Sequence, residues 1–327
     1  MSGSIPTAAV HVAVGVIQSP DGRVLVARRH PSQHQGGLLE FPGGKVEGDE
    51  SVQEALRREL KEELGIDVRR AFPFKKITFS YSDKTVFLDV WRVLEYEGEP
   101  RGQEAQPLAW MGMEELDESQ FPAANRGIIA ALRLPQLLAI TPDDATAESL
   151  ERRLGRCAQS GIRSVQLRQT QLDDADYLEL AHRLALSARA LNIRLLYNRS
   201  PGFVAANPEL FARGEAGLHL SSAALSGLRV RPCSSSILLG ASCHSLDELR
   251  QAVDVGADYA LLSPVLETKG VGEHALGWEG FAALASRVSL PLYALGGVKR
   301  SDLSVALRAG AYGAAGIRDF DLASHDE

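Results

Sequence analysis

The chain has 327 residues, of which 45% are hydrophobic and 24% charged, and this length predicts about two globular domains. The formal net charge of −7 argues against broad binding to a nucleic acid polymer or an anionic membrane. The three cysteines form no CxxC pair, which argues against a disulfide framework or a zinc site. The sequence shows neither a signal-peptide pattern nor an apolar run of about 18 residues, so we expect a cytoplasmic protein without a membrane span.

The first third of the chain has the pattern of strands and turns around one long helix. Val10–Ile17 and Val24–Arg28 alternate apolar residues and flank a Pro-Asp-Gly turn, which predicts a hairpin. Between Glu50 and Leu64 apolar residues recur at three- and four-residue steps, which predicts an amphipathic helix that ends at Gly65. The remaining predicted elements are strands at Ile77–Tyr81 and Thr85–Leu94, a short strand ending at Trp110, and a helix at Pro122–Leu134.

The pattern changes after Pro135. Eight short apolar runs follow, beginning roughly 20 to 30 residues apart, and helical patterns lie between most of them. This arrangement predicts a compact (β/α)8 TIM barrel. We therefore expect an α/β two-domain protein, with one domain over residues 1–134 and the barrel over residues 136–327. The predicted barrel strands are Leu137–Thr141, Ser164–Arg168, Arg194–Tyr197, Gly217–Leu220, Leu238–Ser242, Tyr259–Ser263, Leu292–Leu295 and Ala314–Ile317.

Residues 44–66 fit a spaced pattern at every fixed position: G-x5-E-x7-R-E-U-x-E-E-x-G-U, where U is a bulky aliphatic residue. Within it, Glu59, Glu62 and Glu63 lie at i, i+3 and i+4, so their carboxylates share one face of the predicted helix. Like charges this close repel unless a cation binds between them. Carboxylate oxygens suit Mg²⁺, with Mn²⁺ as an alternative, and Mg²⁺ bridges readily to substrate phosphates. The competing interpretation is an acidic, solvated helix face that binds no metal.

Two neighbours of this acidic face have predicted supporting roles. The Gly43–Gly44 turn permits a close backbone approach, and a carbonyl there would complete the metal coordination. Arg58 is predicted to lie off the carboxylate face and to brace the preceding loop through an ion pair with Glu50.

Six segments around the spaced pattern support a family resemblance: Val24–Arg29, Leu39–Lys45, Glu97–Pro100, Glu104–Pro107, Trp110–Met111 and Phe121–Asn125. Together with residues 44–66, which resemble the Nudix box, they are similar in order and separation to the MutT-type Nudix hydrolases. The resemblance implies a Nudix α/β/α sandwich with a mixed sheet. It also implies Mg²⁺-dependent hydrolysis of 8-oxo-dGTP to 8-oxo-dGMP and pyrophosphate, which cleans the nucleotide pool and serves DNA repair and DNA replication.

The resemblance assigns roles residue by residue. It implies metal ligands at Glu59, Glu62, Glu63, Glu104 and the Gly43 carbonyl. The general base would be Glu59, Glu62 or Glu104, and the residues alone leave that choice open. The implied substrate-binding positions are Arg29, which would hold a phosphate, His34, Glu40, Phe41, Pro42, Gly43, Asp83 and Asn125.

Asn125 has the chemistry to distinguish an oxidised purine. Guanine presents two acceptors, N7 and O6, on its Hoogsteen edge, whereas 8-oxoguanine carries a proton on N7. An Asn amide offers one acceptor and two donors, so it matches the oxidised base and opposes a lone pair on the undamaged one. The alternatives are an N-cap role for Asn125, a surface position for His34, and a core position for Phe41, which could otherwise pack against the base.

The barrel carries a second set of characteristic segments, which include Val165–Arg168, Gly217–Leu220, Gly240–Ser245, Gly256–Tyr259 and Ala294–Val298. They resemble the thiamine-phosphate synthase/TenI family over residues 136–320. The resemblance implies a phosphorylated thiazole or thiamine-related ligand, and the strand-end glycines Gly296 and Gly297 are the candidates for holding its phosphate through backbone N–H groups.

This chain departs from the synthase pattern where the pyrophosphate would be held. A synthase needs metal-binding aspartates after its third and fourth strands, where this chain has Asn198-Arg199 and Ser221-Ser222. Without those charges the expulsion of pyrophosphate loses its electrostatic support, so we expect the barrel to lack synthase activity. A TenI-like tautomerase with His244 as acid–base and a non-catalytic module remain as alternatives.

Three hypotheses for the whole chain follow. The first is an 8-oxo-dGTP diphosphatase with a thiamine-synthase-like barrel attached. The second is a Nudix hydrolase for another nucleotide or a thiamine-related diphosphate. The third is a nucleotide-sensing module, which the retained glutamates disfavour because a sensor needs no metal cluster.

Overall fold

The computed structural model describes residues 9–31, 35–212, 214, 216–267 and 274–321. The chain divides into two compact units, Met1–Leu134 and Pro135–Glu327. Among the described residues, no helix has the length and apolar character needed to cross a membrane.

The N-terminal unit mixes strands with two α-helices in its described part. Three 3-10 turns, Met113–Glu115, Glu118–Gln120 and Ala123–Asn125, precede the second helix. The strands are β1 (Ala9–Ile17), β2 (Val24–Arg28), β3 (Leu39–Glu40), β4 (Gly43–Lys45), β5 (Asp67–Ser80), β6 (Thr85–Glu97) and β7 (Leu108–Met111), and the helices are α1 (Val52–Leu64) and α2 (Arg126–Leu132).

The strands form two sheets. The larger has the order β4-β1-β6-β5 and is mixed, because β1 runs parallel to β6 and the other pairs are antiparallel. The smaller sheet is antiparallel with the order β3-β2-β7. The mixed sheet expected of a Nudix domain is thus confirmed.

The predicted hairpin between β1 and β2 is wrong. Both edges of β1 are taken, by β4 on one side and β6 on the other, while β2 pairs with β3 and β7 in the second sheet. An isolated bridge between Gln18 and Val24 links the ends of the two strands. The Pro-Asp-Gly turn therefore carries the chain from one sheet to the other.

Helix α1 is bounded by strong local signals. Ser51 caps its first turn in a reciprocal pair with Glu54, and Gly65, with φ +72°, ends it in the left-handed conformation. Ala55, Leu56, Leu60 and Leu64 are buried on one side of the helix. Leu60 packs so closely on Gly15 of β1 that a methyl group there would lie 2.9 Å from the leucine side chain.

The C-terminal unit is a closed barrel of eight parallel strands, which confirms the predicted fold. Each predicted run forms one strand with bounds within a residue or two of those expected. The strands are β8 (Leu137–Ile140), β9 (Ser164–Leu167), β10 (Arg194–Asn198), β11 (Ala216–Leu220), β12 (Leu238–Cys243), β13 (Tyr259–Leu262), β14 (Leu292–Ala294) and β15 (Gly313–Gly316). The helices are α3 (Ala147–Gln159), α4 (Asp174–Ala190), α5 (Pro201–Ala206), α6 (Ser222–Ser226), α7 (Leu246–Asp254), α8 (Gly277–Ala285) and α9 (Leu303–Arg308).

Candidate active site

Two adjacent glycines bring β4 directly beneath the carboxylates of α1. The N–H of Gly43 donates to Oε2 of Glu63 at 3.0 Å. A methyl group added at Gly44 would lie 2.2 Å from the carboxyl carbon of Glu59. At Gly43, with φ +141°, it would lie 2.1 Å from the carbonyl oxygen of Ala13. Gly43 must therefore be glycine for the backbone to pass beside β1, and Gly44 leaves the room that the Glu59 carboxylate occupies.

Arg58 pairs with three glutamates. Its guanidinium makes two hydrogen bonds to Glu50, at 2.7 and 3.2 Å, which agrees with the predicted brace between loop and helix. The same side chain also reaches Glu59 at 2.9 Å and Glu62 at 3.2 Å through Nη1. The expectation that Arg58 lies off the carboxylate face is wrong, because its guanidinium pairs with Glu59 and with Glu62 at i+4 on that face.

Burial and like charge perturb the acidic groups. Burial, reinforced by the neighbouring carboxylates of Glu40, Glu59 and Glu104, raises the pKa of Glu63 to about 8. Burial also raises the pKa of Glu59, against the opposing effect of Arg58, and that of Glu40, against the opposing effect of Arg29. An additional positive charge would relieve this crowding.

The donor set fits a hard divalent cation, although the described residues do not form a preformed metal cluster. No three His, Cys, Asp or Glu side chains among them are grouped closely enough to hold an ion. Nη1 of Arg58 lies within hydrogen-bond distance of both Glu59 and Glu62 and so takes up part of their negative charge. Carboxylate and carbonyl oxygens are nevertheless the ligands that Mg²⁺ and Mn²⁺ prefer, and the crowding around Glu63 favours a cation.

A cleft of about 260 Å³ is lined by residues of α1 and of the strands and loops beside it. Arg29, Glu40, Glu63 and Glu104 line it together with Gln106 and Pro107. Nη1 of Arg29 donates to Oε2 of Glu40. The structure thus brings four of the predicted site residues around one cavity, with basic and acidic groups on its walls.

Asn125, the residue predicted to recognise the base, is buried, with 8% of its surface exposed. Its side chain makes no capping hydrogen bond to α2, so the alternative of an N-cap role is wrong. Its Oδ1 atom is buried without a hydrogen-bond partner among the described residues. A buried acceptor of this kind is costly unless a ligand or water supplies a donor.

The other predicted base-binding residues differ in their placement. Phe41 is 4% exposed, and its ring stacks on Phe121 with centroids 5.6 Å apart, so the side chain fills the core and is not an open platform for a base. The carbonyl of the buried Pro42 accepts from the N–H of Gly15 at 2.8 Å. Asp83 is exposed in the turn between β5 and β6, and His34 lies outside the described residues.

Sequence reasoning missed Tyr81, which lies immediately after β5. Its hydroxyl accepts a hydrogen bond from the N–H of Ala124 at 3.2 Å, immediately before Asn125. The hydroxyl therefore holds the turn that carries the candidate recognition residue. The sequence signal for Tyr81 is an aromatic residue two positions before Asp83. This signal does not identify the partner of the hydroxyl, because Ala124 lies 43 residues further along the chain.

In the barrel, the two histidines at strand ends have different environments. His219 is fully buried, and its ring nitrogens lie 3.0 Å from the Tyr259 hydroxyl and 2.9 Å from the Ser242 hydroxyl. Burial lowers the pKa of His219 to about 3, so it is a satisfied, neutral core histidine. His244 is exposed just after β12, and its Nδ1 lies 2.9 Å from the carbonyl oxygen of Ser263. That carbonyl requires the proton on Nδ1 and leaves Nε2 as the basic nitrogen.

The glycines after β14 form a tight turn. Gly296 and Gly297 have φ values of +90° and +68°. A methyl group would lie 2.7 Å from the Cα of Pro264 at the first position and 2.8 Å from the Cβ of Leu266 at the second. The turn therefore requires glycine at both positions, and phosphate binding by its N–H groups stays a prediction.

Comparisons with known proteins match each unit to a family. Residues 137–320 match the model described as thiamine monophosphate synthase, and residues 13–131 match that of the NUDIX domain. Over 124 residues the chain is 39% identical to an 8-oxo-dGTP diphosphatase of Escherichia coli, covering 38% of this chain and 96% of that protein. The chain is a MutT-like Nudix domain fused to a thiamine-phosphate synthase/TenI domain.

Two further relatives bear on substrate and on the barrel. Over 135 residues the Nudix domain is 36% identical to a CTP pyrophosphohydrolase of Escherichia coli, covering 41% of this chain and 98% of that protein. Over 191 residues the TenI domain is 30% identical to a putative thiamine-phosphate synthase 2 of Aquifex aeolicus, covering 58% of this chain and 99% of that protein.

In the TenI domain, the residues at the end of the third barrel strand, one of the two places where a synthase has its aspartates, are engaged in structural bonds. The side-chain amide of Asn198 donates to the carbonyl of His219 at 3.1 Å. The guanidinium of Arg199 lies 3.8 Å from the ring centroid of Tyr177 and donates to the carbonyl of Leu172 at 2.9 Å. Neither side chain offers the carboxylate that a metal-bound pyrophosphate requires.

Proposed function

We propose that the Nudix domain hydrolyses 8-oxo-dGTP to 8-oxo-dGMP and pyrophosphate. The observation that carries the substrate choice is the buried, unpartnered Oδ1 of Asn125. The N7–H that distinguishes 8-oxoguanine from guanine supplies the missing donor, and the amide NH₂ group can donate to O6 of the same base. Undamaged guanine would leave the acceptor facing a lone pair, and a buried mismatch of this kind discriminates strongly.

The glutamates of α1 act on the phosphate chain. Glu59, Glu62, Glu63 and Glu104, with the carbonyl of Gly43, would hold Mg²⁺ or Mn²⁺. When bound, the cation neutralises charge on the phosphate oxygens and orients the attacking water. Glu104 lines the cleft and, in the described structure, makes no ion pair with Arg58, unlike Glu59 and Glu62. We therefore assign Glu104 as the base that accepts the proton of the attacking water, with Arg29 on a phosphate.

The test compares kcat/KM for 8-oxo-dGTP, dGTP and CTP in the presence of Mg²⁺. Wild type should prefer 8-oxo-dGTP over dGTP by at least about a hundredfold, because a polar site rejects a base that leaves it unpaired. Asn125→Ala should reduce this preference at least about tenfold. Asn125→Asp keeps the acceptor for N7–H but loses the donor to O6, so it should retain part of the preference. Equal hydrolysis of dGTP, or a preference for CTP that Asn125→Ala leaves intact, would overturn the assignment.

For the TenI domain we propose binding of a phosphorylated thiazole or thiamine-related ligand without thiamine-phosphate synthesis. The proposal is supported by the glycine turn after β14 and by the bonds that hold Asn198 and Arg199. His244 is exposed and its Nδ1 lies beside the Ser263 carbonyl oxygen, so its Nε2 is suited to proton transfer of the TenI tautomerase type. Incubation of the purified chain with pyrimidine diphosphate and thiazole phosphate should yield no thiamine phosphate, and its formation would overturn the proposal.

A further inference from the structure

The segment from Arg101 to Pro107, which we call the Glu104 loop, docks on the C-terminal turn of α1. The N–H of Arg101 donates to the carbonyl of Leu64 at 3.0 Å, and the N–H of Gln103 donates to the carbonyl of Glu63 at 2.9 Å. The last carbonyls of a helix have no partner within the helix itself. The loop that carries Glu104 therefore caps the helix that carries the other glutamates.

One side chain closes this arrangement. The Nε2 group of Gln106 donates to the same Glu63 carbonyl at 2.9 Å, and its Oε1 accepts from the N–H of Glu104, also at 2.9 Å. The amide of Gln106 thus spans from the backbone of one candidate metal ligand to the backbone of another. Both of its bonds end on main-chain atoms, so it controls where the two residues lie without contacting their carboxylates through these bonds.

The backbone between these residues is held in an unfavourable conformation. Ala105 has a φ of +61°, in the left-handed region that residues with a Cβ atom adopt at an energetic cost. Such a conformation persists where the surroundings hold it. The hydrogen bond from Glu104 to Gln106 spans this residue and supplies that constraint.

We propose that Gln106 is a positioning residue that fixes Glu104 relative to Glu63 and thereby sets the rate of phosphoanhydride hydrolysis. This proposal shares one premise with the function proposed above, namely that Glu104 takes part in turnover. Without the bridge, the left-handed turn at Ala105 relaxes and the Glu104 backbone moves. A displacement of about 1 Å in a reacting group can lower a rate by about 10²-fold.

The experiment uses the full chain with Gln106→Met, which keeps the length of the side chain and removes both hydrogen bonds. Gln103→Met is the matched control, because that exposed side chain lies in the same loop and only its backbone N–H contacts Glu63. The first readout is amide hydrogen exchange of Glu104 in the nucleotide-free protein, measured by NMR. The second readout is kcat and KM, measured for whichever of the nucleotides 8-oxo-dGTP, dGTP and CTP the wild type hydrolyses.

In Gln106→Met the Glu104 amide should exchange at least about fivefold faster than in wild type, as loss of one hydrogen bond implies. Its kcat should fall at least tenfold while KM changes less than threefold, and Gln103→Met should match wild type in both readouts. Unchanged exchange, or a kcat equal to that of Gln103→Met, overturns the proposal. If the substrate assignment is wrong, the wild-type kinetics show it, because wild type then does not prefer 8-oxo-dGTP. The Gln106 and Gln103 variants are in that case compared on the nucleotide that wild type does hydrolyse. If wild type hydrolyses none of the three, the exchange rates decide whether Gln106 holds the loop.

Discussion

The space around Gly44 allows the effect of one methyl group on turnover to be worked out. In Gly44→Ala, the added carbon would lie 2.2 Å from the carboxyl carbon of Glu59 and within 2.3 Å of both its oxygens. Ordinary contact begins near 3.4 Å, so the carboxylate must move by about 1.2 Å. The atoms displaced are the end of a flexible side chain, so the backbone can stay in place. A misplacement of this size should lower kcat for 8-oxo-dGTP about a hundredfold.

Gly43→Ala provides the contrast, one residue away. Its added carbon would lie 2.1 Å from the carbonyl oxygen of Ala13, and its φ of +141° is unsuited to a residue with a Cβ atom. The obstacle is now the backbone of β1, which lies between β4 and β6 in the larger sheet. We expect a loss of about 3 kcal/mol in the free energy of unfolding, from backbone strain and overpacking together.

The assay pairs steady-state kinetics with thermal unfolding followed by circular dichroism. Gly44→Ala should retain the wild-type Tm within about 2 °C, whereas Gly43→Ala should lower it by roughly 10 °C. Gly155→Ala is the control, because an added methyl group there meets no atom within 4 Å. If kcat of Gly44→Ala is within threefold of wild type, the position of Glu59 in this structure is not the one that turnover needs. A fall in Tm as large as that of Gly43→Ala would refute the reasoning as well.

Two further predictions concern single side chains. Glu63→Gln should abolish turnover, and an unchanged kcat would contradict the assignment of Glu63 as a metal ligand. The Tm of the metal-free variant should lie within about 2 °C of the wild-type value, because the amide oxygen can still accept from the Gly43 N–H at the 3.0 Å spacing. The folded-state pKa of His219, about 3, is below its ordinary value of 6.5. Between these two pH values the His219 side chain binds a proton only in the unfolded chain. The barrel therefore loses stability as pH falls from 6.5 towards 3, by up to about 1.4 kcal/mol per pH unit. The urea unfolding free energy of His219→Gln should decline less over this range, and equal pH slopes in variant and wild type would show that His219 does not carry the effect.

The barrel could be predicted almost strand by strand because its strands are buried on both faces. Continuous apolar runs such as Tyr259–Leu262 therefore stand out between polar helices. The N-terminal strands were harder to predict. In β5 the alternation is broken by register shifts at Val68/Arg70, Arg70/Ala71 and Pro73/Lys75. The sequence pattern therefore predicts only a strand at Ile77–Tyr81 and misses the first ten residues of β5.

The candidate site could be predicted as far as its chemistry is local. The i, i+3, i+4 spacing of Glu59, Glu62 and Glu63 is a property of one helix and can be derived from the sequence. The burial of Phe41 against Phe121 depends on residues far apart in the chain, which no local pattern contains. The same is true of the contacts that Arg58 makes with the acidic face, because they depend on the rotamers of long side chains.

The two units also differ in their capacity to support cleavage at a diphosphate. In the Nudix domain burial, reinforced by the neighbouring carboxylates, raises the pKa of Glu63 to about 8. The crowded carboxylates favour a cation, which can in turn bind phosphates. At the barrel mouth an aspartate in place of Asn198 would face the His219 carbonyl oxygen at about the present 3.1 Å, with two acceptors opposed and the existing hydrogen bond lost. Arg199, packed on Tyr177, places a positive charge where the synthase needs a negative one. No single substitution repairs both defects, so we propose phosphoanhydride chemistry for the Nudix domain and, for the barrel, ligand binding with proton transfer at His244.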